Sequence, residues 1–229
     1  MKKGFYTELS YLFGIIILAV GTAFMTTTDL GLSMVVAPAY ILHRKISETF
    51  SFFSFGMAEY TLQAFLIILT AAAMKKFKLS YLFSFITAVF YGLVLDGSLL
   101  LMGLISQAIA SHIAFRIALY VFGFFVVAFA VSLLFHTYIP PEAYELIVKE
   151  ISHEYRFSIG KTKTVYDCVS CATAIILSFA FFGLWHFEGI SIGTVLCALF
   201  NGLVISRFNK LLDKHFDFKD KFGFRKYFE

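Results

Sequence analysis

The sequence predicts an all-α membrane protein with six transmembrane helices, arranged as two inverted three-helix repeats. The prediction rests on the composition, the long apolar runs and a repeated motif. Of the 229 residues, 59% are hydrophobic and 15% are charged, whereas a water-soluble domain has roughly 25% charged residues. Because so few polar side chains cannot cover a globule in water, lipid must contact much of the surface.

Six apolar runs are long enough to cross a membrane as helices, which takes about 20 residues each. They span residues 7–27, 55–74, 79–104, 114–135, 165–185 and 189–207. The runs do not alternate as strands do, and a sheet can cross a membrane only as a closed barrel. We therefore expect one membrane domain over residues 1–229, with a basic cytoplasmic tail at 213–229.

The positions of lysine and arginine predict the orientation, because cytoplasmic loops carry an excess of these residues. With the N-terminus inside, 16 of the 19 basic residues fall on the cytoplasmic side and three fall outside. We expect a multi-pass protein with both the N- and C-termini in the cytoplasm.

A repeated motif divides the chain into two halves. Residues 88–94 read Ala-Val-Phe-Tyr-Gly-Leu-Val and residues 198–204 read Ala-Leu-Phe-Asn-Gly-Leu-Val, so five of seven positions match. Shorter matches occur in the same order: Phe13-Gly14 with Phe122-Gly123, Ile46-Ser47 with Ile151-Ser152, and Ser54-Phe55-Gly56 with Ser158-Ile159-Gly160. Repeat one covers about 7–104 and repeat two about 114–212. Because three spans is an odd number, the second repeat enters from the opposite side.

The long connections after the first and fourth spans contain short apolar segments. Residues 32–42 are interrupted by Pro38 and are too few to cross a membrane, but apolar enough to dip into it. In the second connection Ala143, Ile147 and Ile151 recur every four residues, which predicts an amphipathic helix at the cytoplasmic surface. Interrupted segments at matching places of inverted halves are typical of transporter binding sites. Alternatively, both segments are interfacial helices that brace the bundle.

Several motifs resemble those of the YczE/YitT-like family of bacterial integral membrane proteins. They are the Gly189–Thr194 run that leads into Ala198–Val204, the Asp29–Ser33 segment and the Ala88–Asp96 segment. The resemblance implies a bacterial inner membrane protein with this six-helix architecture, and implies no particular substrate. The chain departs from the family pattern at Phe83-Ser84, where a Gly-Thr pair is usual, and at Pro38, which is displaced.

Four charged residues are candidates for a substrate site. Asp96 lies within the third span, where a charge is costly, and we hypothesise that it pairs with Arg116 across a helical hairpin. The pair would act as a structural clamp, or as part of a gate or anion site. Glu59 and Asp167 lie near the start of the second span of each repeat. If they point inward, they would bind protons or cations at opposite mouths of a pathway; alternatively, both are interfacial and solvated.

Cysteines and glycines suggest further roles. Cys168 and Cys171 form a C-x-x-C motif, which is either a redox pair or simple helix packing. Gly189 and Gly193 permit close helix approach, and Gly92 and Gly202 are expected to do the same at matching points of the two halves.

The leading functional expectation is a secondary transporter or exporter of a small molecule or ion, working by rocking of the two halves. Its pathway would run between the first, third, fourth and sixth spans. The alternative is an accessory protein that stabilises a partner complex without translocation. We expect no enzymatic activity, catalytic residue, cofactor, metal site or nucleic-acid partner; the lipid bilayer is the expected environment, and a homodimer is left open.

Overall fold

The computed structural model describes residues 2–104 and 112–228, which form eight α-helices and two short strands. In chain order the elements are β1 (Lys3–Tyr6), α1 (Thr7–Thr26), α2 (Ala37–Ser47), α3 (Phe55–Met74), α4 (Phe83–Gly103, preceded by a 3-10 turn at Leu79–Leu82), α5 (Ile113–Phe135), α6 (Ala143–Glu154), α7 (Ile159–Phe182), α8 (Ile192–His215) and β2 (Phe216–Lys219). A second 3-10 turn follows at Arg225–Tyr227.

Six of these helices are long and apolar enough to cross a membrane: α1, α3, α4 with its 3-10 turn, α5, α7 and α8. Their outward faces carry large apolar side chains, such as Leu93, Leu100 and Ile192, which are 68%, 77% and 81% exposed. Such side chains face lipid and not water. The six predicted spans are confirmed, and the chain is a multi-pass membrane protein.

Two span boundaries differ from the prediction by six residues or more. Helix α7 begins at Ile159 and not near residue 165, and α8 continues to His215 and not to residue 207. The predicted fifth span began after Lys163 because a lysine interrupts the apolar run. In the structure that lysine is only 1% exposed and forms ion pairs inside the bundle. A paired charge does not interrupt the helix, and hydropathy alone cannot recognise the pairing.

The first and last described segments meet on one side of the bundle. Strand β1 pairs in parallel with β2, with Lys3 opposite Phe216. The side that carries β1 and β2 is called the terminal face, and the opposite side, where α1 ends and α3 begins, is called the far face. Taken in chain order, the spanning helices α1, α3, α4, α5, α7 and α8 therefore run alternately between these two faces.

The centre of the bundle shows the two-fold relation between the repeats. Helices α1 and α5 run antiparallel and pack more extensively than any other described pair. A Cβ on Gly14 would lie 3.4 Å from the carbonyl oxygen of Ala130, and one on Gly123 would lie 2.9 Å from that of Gly21. Since Gly14 is equivalent to Gly123, and Gly21 to Ala130, a two-fold rotation exchanges the two contacts. The predicted inverted repeat is confirmed.

The outer helices follow the same symmetry, with one exception. In repeat one α1 packs on α4, and in repeat two α5 packs on α8 in the same way. The short helix α2 packs on α7, and the short helix α6 packs on α3. Each short helix thus packs against a spanning helix of the other repeat. Helix α7 also packs along α8, but α3 has no comparable packing on α4. The two repeats therefore differ in whether their second and third spans are closed together.

Both short helices begin inside the bundle. Before α2, the carbonyl of Met34 accepts a hydrogen bond of 2.8 Å from Ser170, which lies halfway along α7. At the start of α6, the Tyr144 hydroxyl donates to Glu59 of α3 at 2.7 Å. The six residues Ala143–Val148 are buried, so the predicted surface location is wrong for the first half of this helix. Glu145 points inward because Lys163 supplies a buried partner for its carboxylate, whereas Glu154 at the other end of the helix is exposed.

Candidate functional site

A cavity of about 390 Å³ lies between the two repeats and is called the central cavity. It is lined by residues of all six spans and by the starts of both short helices. Its mouth includes the exposed residues Thr26, Tyr60 and Asp96, whereas its floor includes the buried residues Lys163 and Asn201. The cavity therefore opens towards the far face, between α3 and α4, and is closed towards the terminal face.

The wall and the floor of the central cavity differ in chemistry. The wall is apolar and aromatic, with contributions from Leu18, Leu95, Phe124 and Val127. The floor is polar and charged. A mostly apolar cleft with a few converging polar groups is the usual form of a small-molecule site.

One lysine organises the floor. Lys163 Nζ lies 3.1 Å from Oε1 of Glu145 and 3.0 Å from Oδ1 of Asp167. Asn201 Nδ2 donates to the other carboxylate oxygen of Asp167 at 2.9 Å. The side chains of Lys163, Glu145 and Asp167 are 1%, 6% and 0% exposed. Buried charges are tolerated only when paired and hydrogen-bonded in this manner.

Two more carboxylates face the same floor without a basic partner among the described residues. Glu59 accepts from Tyr144 with one oxygen, and its second oxygen has no donor in hydrogen-bonding geometry. Glu142, which is 5% exposed, also has an oxygen without a donor. Because Glu142 precedes the first turn of α6, the positive end of that helix dipole favours its negative charge. The floor thus holds four carboxylates and one lysine, and the lysine contacts two of the four.

Two buried amide side chains add further acceptors. Gln63 and Asn201 are 4% and 2% exposed, line the central cavity and each carry a side-chain oxygen without a donor in the described structure. The hydrogen bond from Asn201 Nδ2 to Asp167 determines which of the two amide atoms of Asn201 is the oxygen. Acceptor oxygens therefore outnumber donors at the floor.

The predicted ion pair between Asp96 and Arg116 is wrong. Arg116 Nε donates to the carbonyl of Thr28 at 2.7 Å, and its Nη2 lies 3.8 Å from Oδ2 of Asp29. The free carbonyls after the last turn of α1 carry partial negative charge and attract the guanidinium. Asp96 lies instead at the mouth of the central cavity, which Arg116 does not line.

Glu59 and Asp167 lie at one site and not at opposite mouths. Glu59 lines the central cavity, and Asp167 lies just beneath its floor, bonded to Lys163 and Asn201. The solvated interpretation is wrong for Asp167, which is completely buried. A role of these residues in substrate binding stays a prediction.

Sequence reasoning missed Lys163, Glu142 and Glu145. The repeat itself carried a signal for one of them. Matching Gly56 with Gly160 makes Glu59 equivalent to Lys163, so the two halves place opposite charges at positions related by the two-fold axis. In an inverted repeat such positions face the same central region.

The glycine pairs of the two repeats have different environments. A Cβ on Gly160 would lie 2.6 Å from the carbonyl oxygen of Gly202, so α7 and α8 touch through their backbones. The equivalent glycines of repeat one are Gly56 and Gly92, which both line the central cavity. A Cβ on Gly92 would meet no described atom within 4 Å. The expected close packing is confirmed at Gly202 and is wrong at Gly92 in this conformation.

The three cysteines are free thiols. Cys168 Sγ donates to the carbonyl of Ala198 at 3.6 Å, and Cys171 and Cys197 belong to an apolar cluster between α1, α5, α7 and α8. These contacts favour the packing interpretation of the C-x-x-C motif.

The comparisons with known proteins bear on the family alone. The sequence matches the family of unknown function DUF6198 over residues 5–210. The chain belongs to DUF6198. The matched region contains the first five spans, most of the sixth, both short helices and every residue that lines the central cavity. A search of curated proteins and a search of solved structures each gave no match. The resemblance to the YczE/YitT-like family stays a prediction.

Proposed function

We propose that this DUF6198 chain is a secondary transporter that moves a small solute by alternating access between its inverted repeats. One observation supports this function above others. The Gly160–Gly202 contact closes α7 on α8, while the equivalent glycines Gly56 and Gly92 stand apart over a cavity that reaches the floor. Inverted repeats in unequal conformations are the structural basis of alternating access.

The second conformation follows by exchanging the conformations of the two repeats. Helix α3 closes on α4 through Gly56 and Gly92, and α7 parts from α8 at Gly160 and Gly202. The floor would then open to the terminal face. No side chain at Gly56 or Gly92 obstructs this closure, because neither residue has one.

The resemblance to the YczE/YitT-like family implies a bacterial inner membrane. The basic residues favour an orientation with the terminal face in the cytoplasm, since most of them lie on that side. In this orientation the structure corresponds to an outward-open state. An ion gradient or a partner protein would then supply the driving force.

The test uses a single cysteine on the cavity wall. Val127→Cys is made in a variant without Cys168, Cys171 and Cys197, and a membrane-impermeant thiol reagent is added from either face. A transporter is labelled from both faces. The accessory alternative predicts labelling from the far face alone.

A second substitution separates the two functions further. Gly92→Val has room in the observed conformation but blocks closure of α3 on α4, so it should abolish labelling from the terminal face. The control is Gly97→Val on the same helix, which also meets no described atom within 4 Å. The residue of repeat two that is equivalent to Gly97 is Arg207. Because α7 and α8 are closed on each other although Arg207 has a long side chain, a side chain at residue 97 should not prevent α3 from closing on α4. If adding Gly92→Val to the Val127→Cys variant left labelling from both faces unchanged, the result would argue against transport.

A further inference from the structure

We propose that the central cavity binds a small organic cation that carries N–H donors on an apolar body, such as a primary ammonium compound. As a statement about cargo, this inference rests on the proposed transport function. As a statement about binding, it stands on the floor and wall of the cavity alone.

The excess of negative charge at the floor favours a cationic ligand. Lys163 already contacts Glu145 and Asp167, which leaves Glu59 and Glu142 without a basic partner in the described structure. Two carboxylates inside a membrane protein require protons or a cation beside them. An anionic solute would have to compete for a lysine that two carboxylates already hold.

The buried acceptor oxygens that lack a donor favour a ligand with N–H donors. The unpartnered oxygens of Glu142, Gln63 and Asn201 belong to side chains more than nine-tenths buried, and all three residues line the cavity. A buried acceptor without a donor is costly, so the site is complete only with a ligand that donates. An ammonium or guanidinium group supplies several N–H donors and the missing positive charge at once.

The apolar wall of the cavity favours a ligand with an apolar body. Phe124, Leu95, Val127 and Leu18 rise above the polar floor, and an apolar or aromatic body bound to the cation would fill this space. A bare metal ion would leave the wall unused. The described residues also hold no group of three or more metal-ligating side chains.

The experiment measures binding of four probes to the purified full chain by calorimetry and thermal shift. Benzylammonium supplies a positive charge, N–H donors and an aromatic ring. Benzyltrimethylammonium keeps the charge but lacks the N–H donors, and benzyl alcohol lacks the charge. Benzoate carries a negative charge instead. We expect saturable binding of benzylammonium, affinity at least tenfold lower for benzyltrimethylammonium and benzyl alcohol, and no binding of benzoate. Absence of benzylammonium binding up to tens of millimolar, or equal binding of benzoate, would overturn the inference.

Two variants locate the site. Glu142→Gln should weaken benzylammonium binding at least tenfold, and Glu154→Gln, on the exposed end of the same helix, should leave it unchanged. Glu59→Gln provides a second test on another helix should the first variant fold poorly. Unchanged affinity in both Glu142→Gln and Glu59→Gln would contradict the proposed site. Labelling of Val127→Cys from both faces does not depend on these results, so transport and cation selectivity can fail separately.

Discussion

The α3–α4 pair and the α7–α8 pair occupy equivalent places in the two repeats and share the same glycines, yet only α7 and α8 pack closely along each other. Because the sequences at the two glycine pairs are alike, the proposed transport function attributes their different packing to the conformation. The charges are a different matter. Glu59 and Lys163 are equivalent by the repeat, so the two halves differ permanently in the charge that they bring to the floor.

The same reversal of charge occurs at the two surfaces of the bundle. Near the end of α2, Arg44 pairs with Glu188 of the α7–α8 loop at 2.9 Å. Near the end of α6, Glu150 pairs with Lys78 of the α3–α4 connection at 3.2 Å. Each pair ties a short helix to the opposite repeat, with the charges exchanged. The interaction is thus retained in both halves, although the residues that make it are not.

The largest expected effect tests the charge difference at the floor. Lys163→Met leaves Glu145 and Asp167 buried without a counter-charge, and breaking a buried pair in this way costs about 3–5 kcal/mol of unfolding free energy. Lys161→Met, on the exposed side of the same helix turn, should cost less than about 0.5 kcal/mol. Denaturant titration of both variants measures the difference. Similar losses would mean that Lys163 does not hold the floor together.

The next effect tests the glycine pairs. Gly202→Val forces a side chain against the backbone of α7 and should cost about 1–3 kcal/mol. Gly92→Val meets open space and should cost almost nothing. Thermal unfolding followed by size-exclusion fluorescence ranks the two variants. If Gly92→Val were the more damaging, the α3–α4 pair would be closed in the native protein.

A smaller effect tests how the starts of the equivalent helices α1 and α5 are anchored. Thr7 donates to Asp220 of the tail at 2.8 Å, whereas Arg116 bonds the end of α1. Arg116→Gln should lower the unfolding free energy by about 1 kcal/mol. Asp96→Asn should have little effect, and the double variant should be additive because the two side chains share no contact. A coupling above about 0.5 kcal/mol would restore the ion pair that the sequence suggested.

The smallest effect concerns the Arg44–Glu188 pair. The hydrogen bond with His186, and then Arg44, hold the pKa of Glu188 below its ordinary value of 4.5. A lowered carboxylate pKa stabilises the fold at neutral pH, and that contribution is lost as the pH falls below about 4.5. Glu188→Gln should therefore cost about 0.2–1 kcal/mol at pH 7 and nothing at pH 3. A loss that is the same at both pH values would exclude this electrostatic origin.

The sequence predicted the spans and the inverted repeat well, because both leave local signals. Hydropathy marks each span, and the Ala-x-Phe-x-Gly-Leu-Val motif marks the equivalent helices. The floor of the cavity leaves no such signal. Glu142 and Glu145 belong to a segment with the pattern of a surface helix, and Lys163 marks the end of an apolar run. Their burial depends on one another and on tertiary contacts that no local pattern records.

The wrong partner for Arg116 has a similar origin. The prediction considered the helix adjacent in sequence, α4, and the end of α1 lies within reach of the guanidinium instead. In the inverted repeat α1 and α5 pack together at the centre, so neighbours in space are not neighbours in the chain. Only the three-dimensional pairing of α1 with α5 identifies the acceptor.

The central claim is that the two helix pairs exchange conformations, and two spin-label distances test it most directly. One pair of labels, at Phe52→Cys and Leu100→Cys, reports on α3 and α4 at the far face, where both residues are more than two-thirds exposed. The other pair, at Lys161→Cys and Leu211→Cys, reports on α7 and α8 at the terminal face. Gly202→Ala, which crowds the closed pair, should shorten the far-face distance and lengthen the terminal-face distance, and Gly92→Val should prevent both changes. Distances that stay the same in Gly202→Ala, or that change at one face alone, would contradict alternating access.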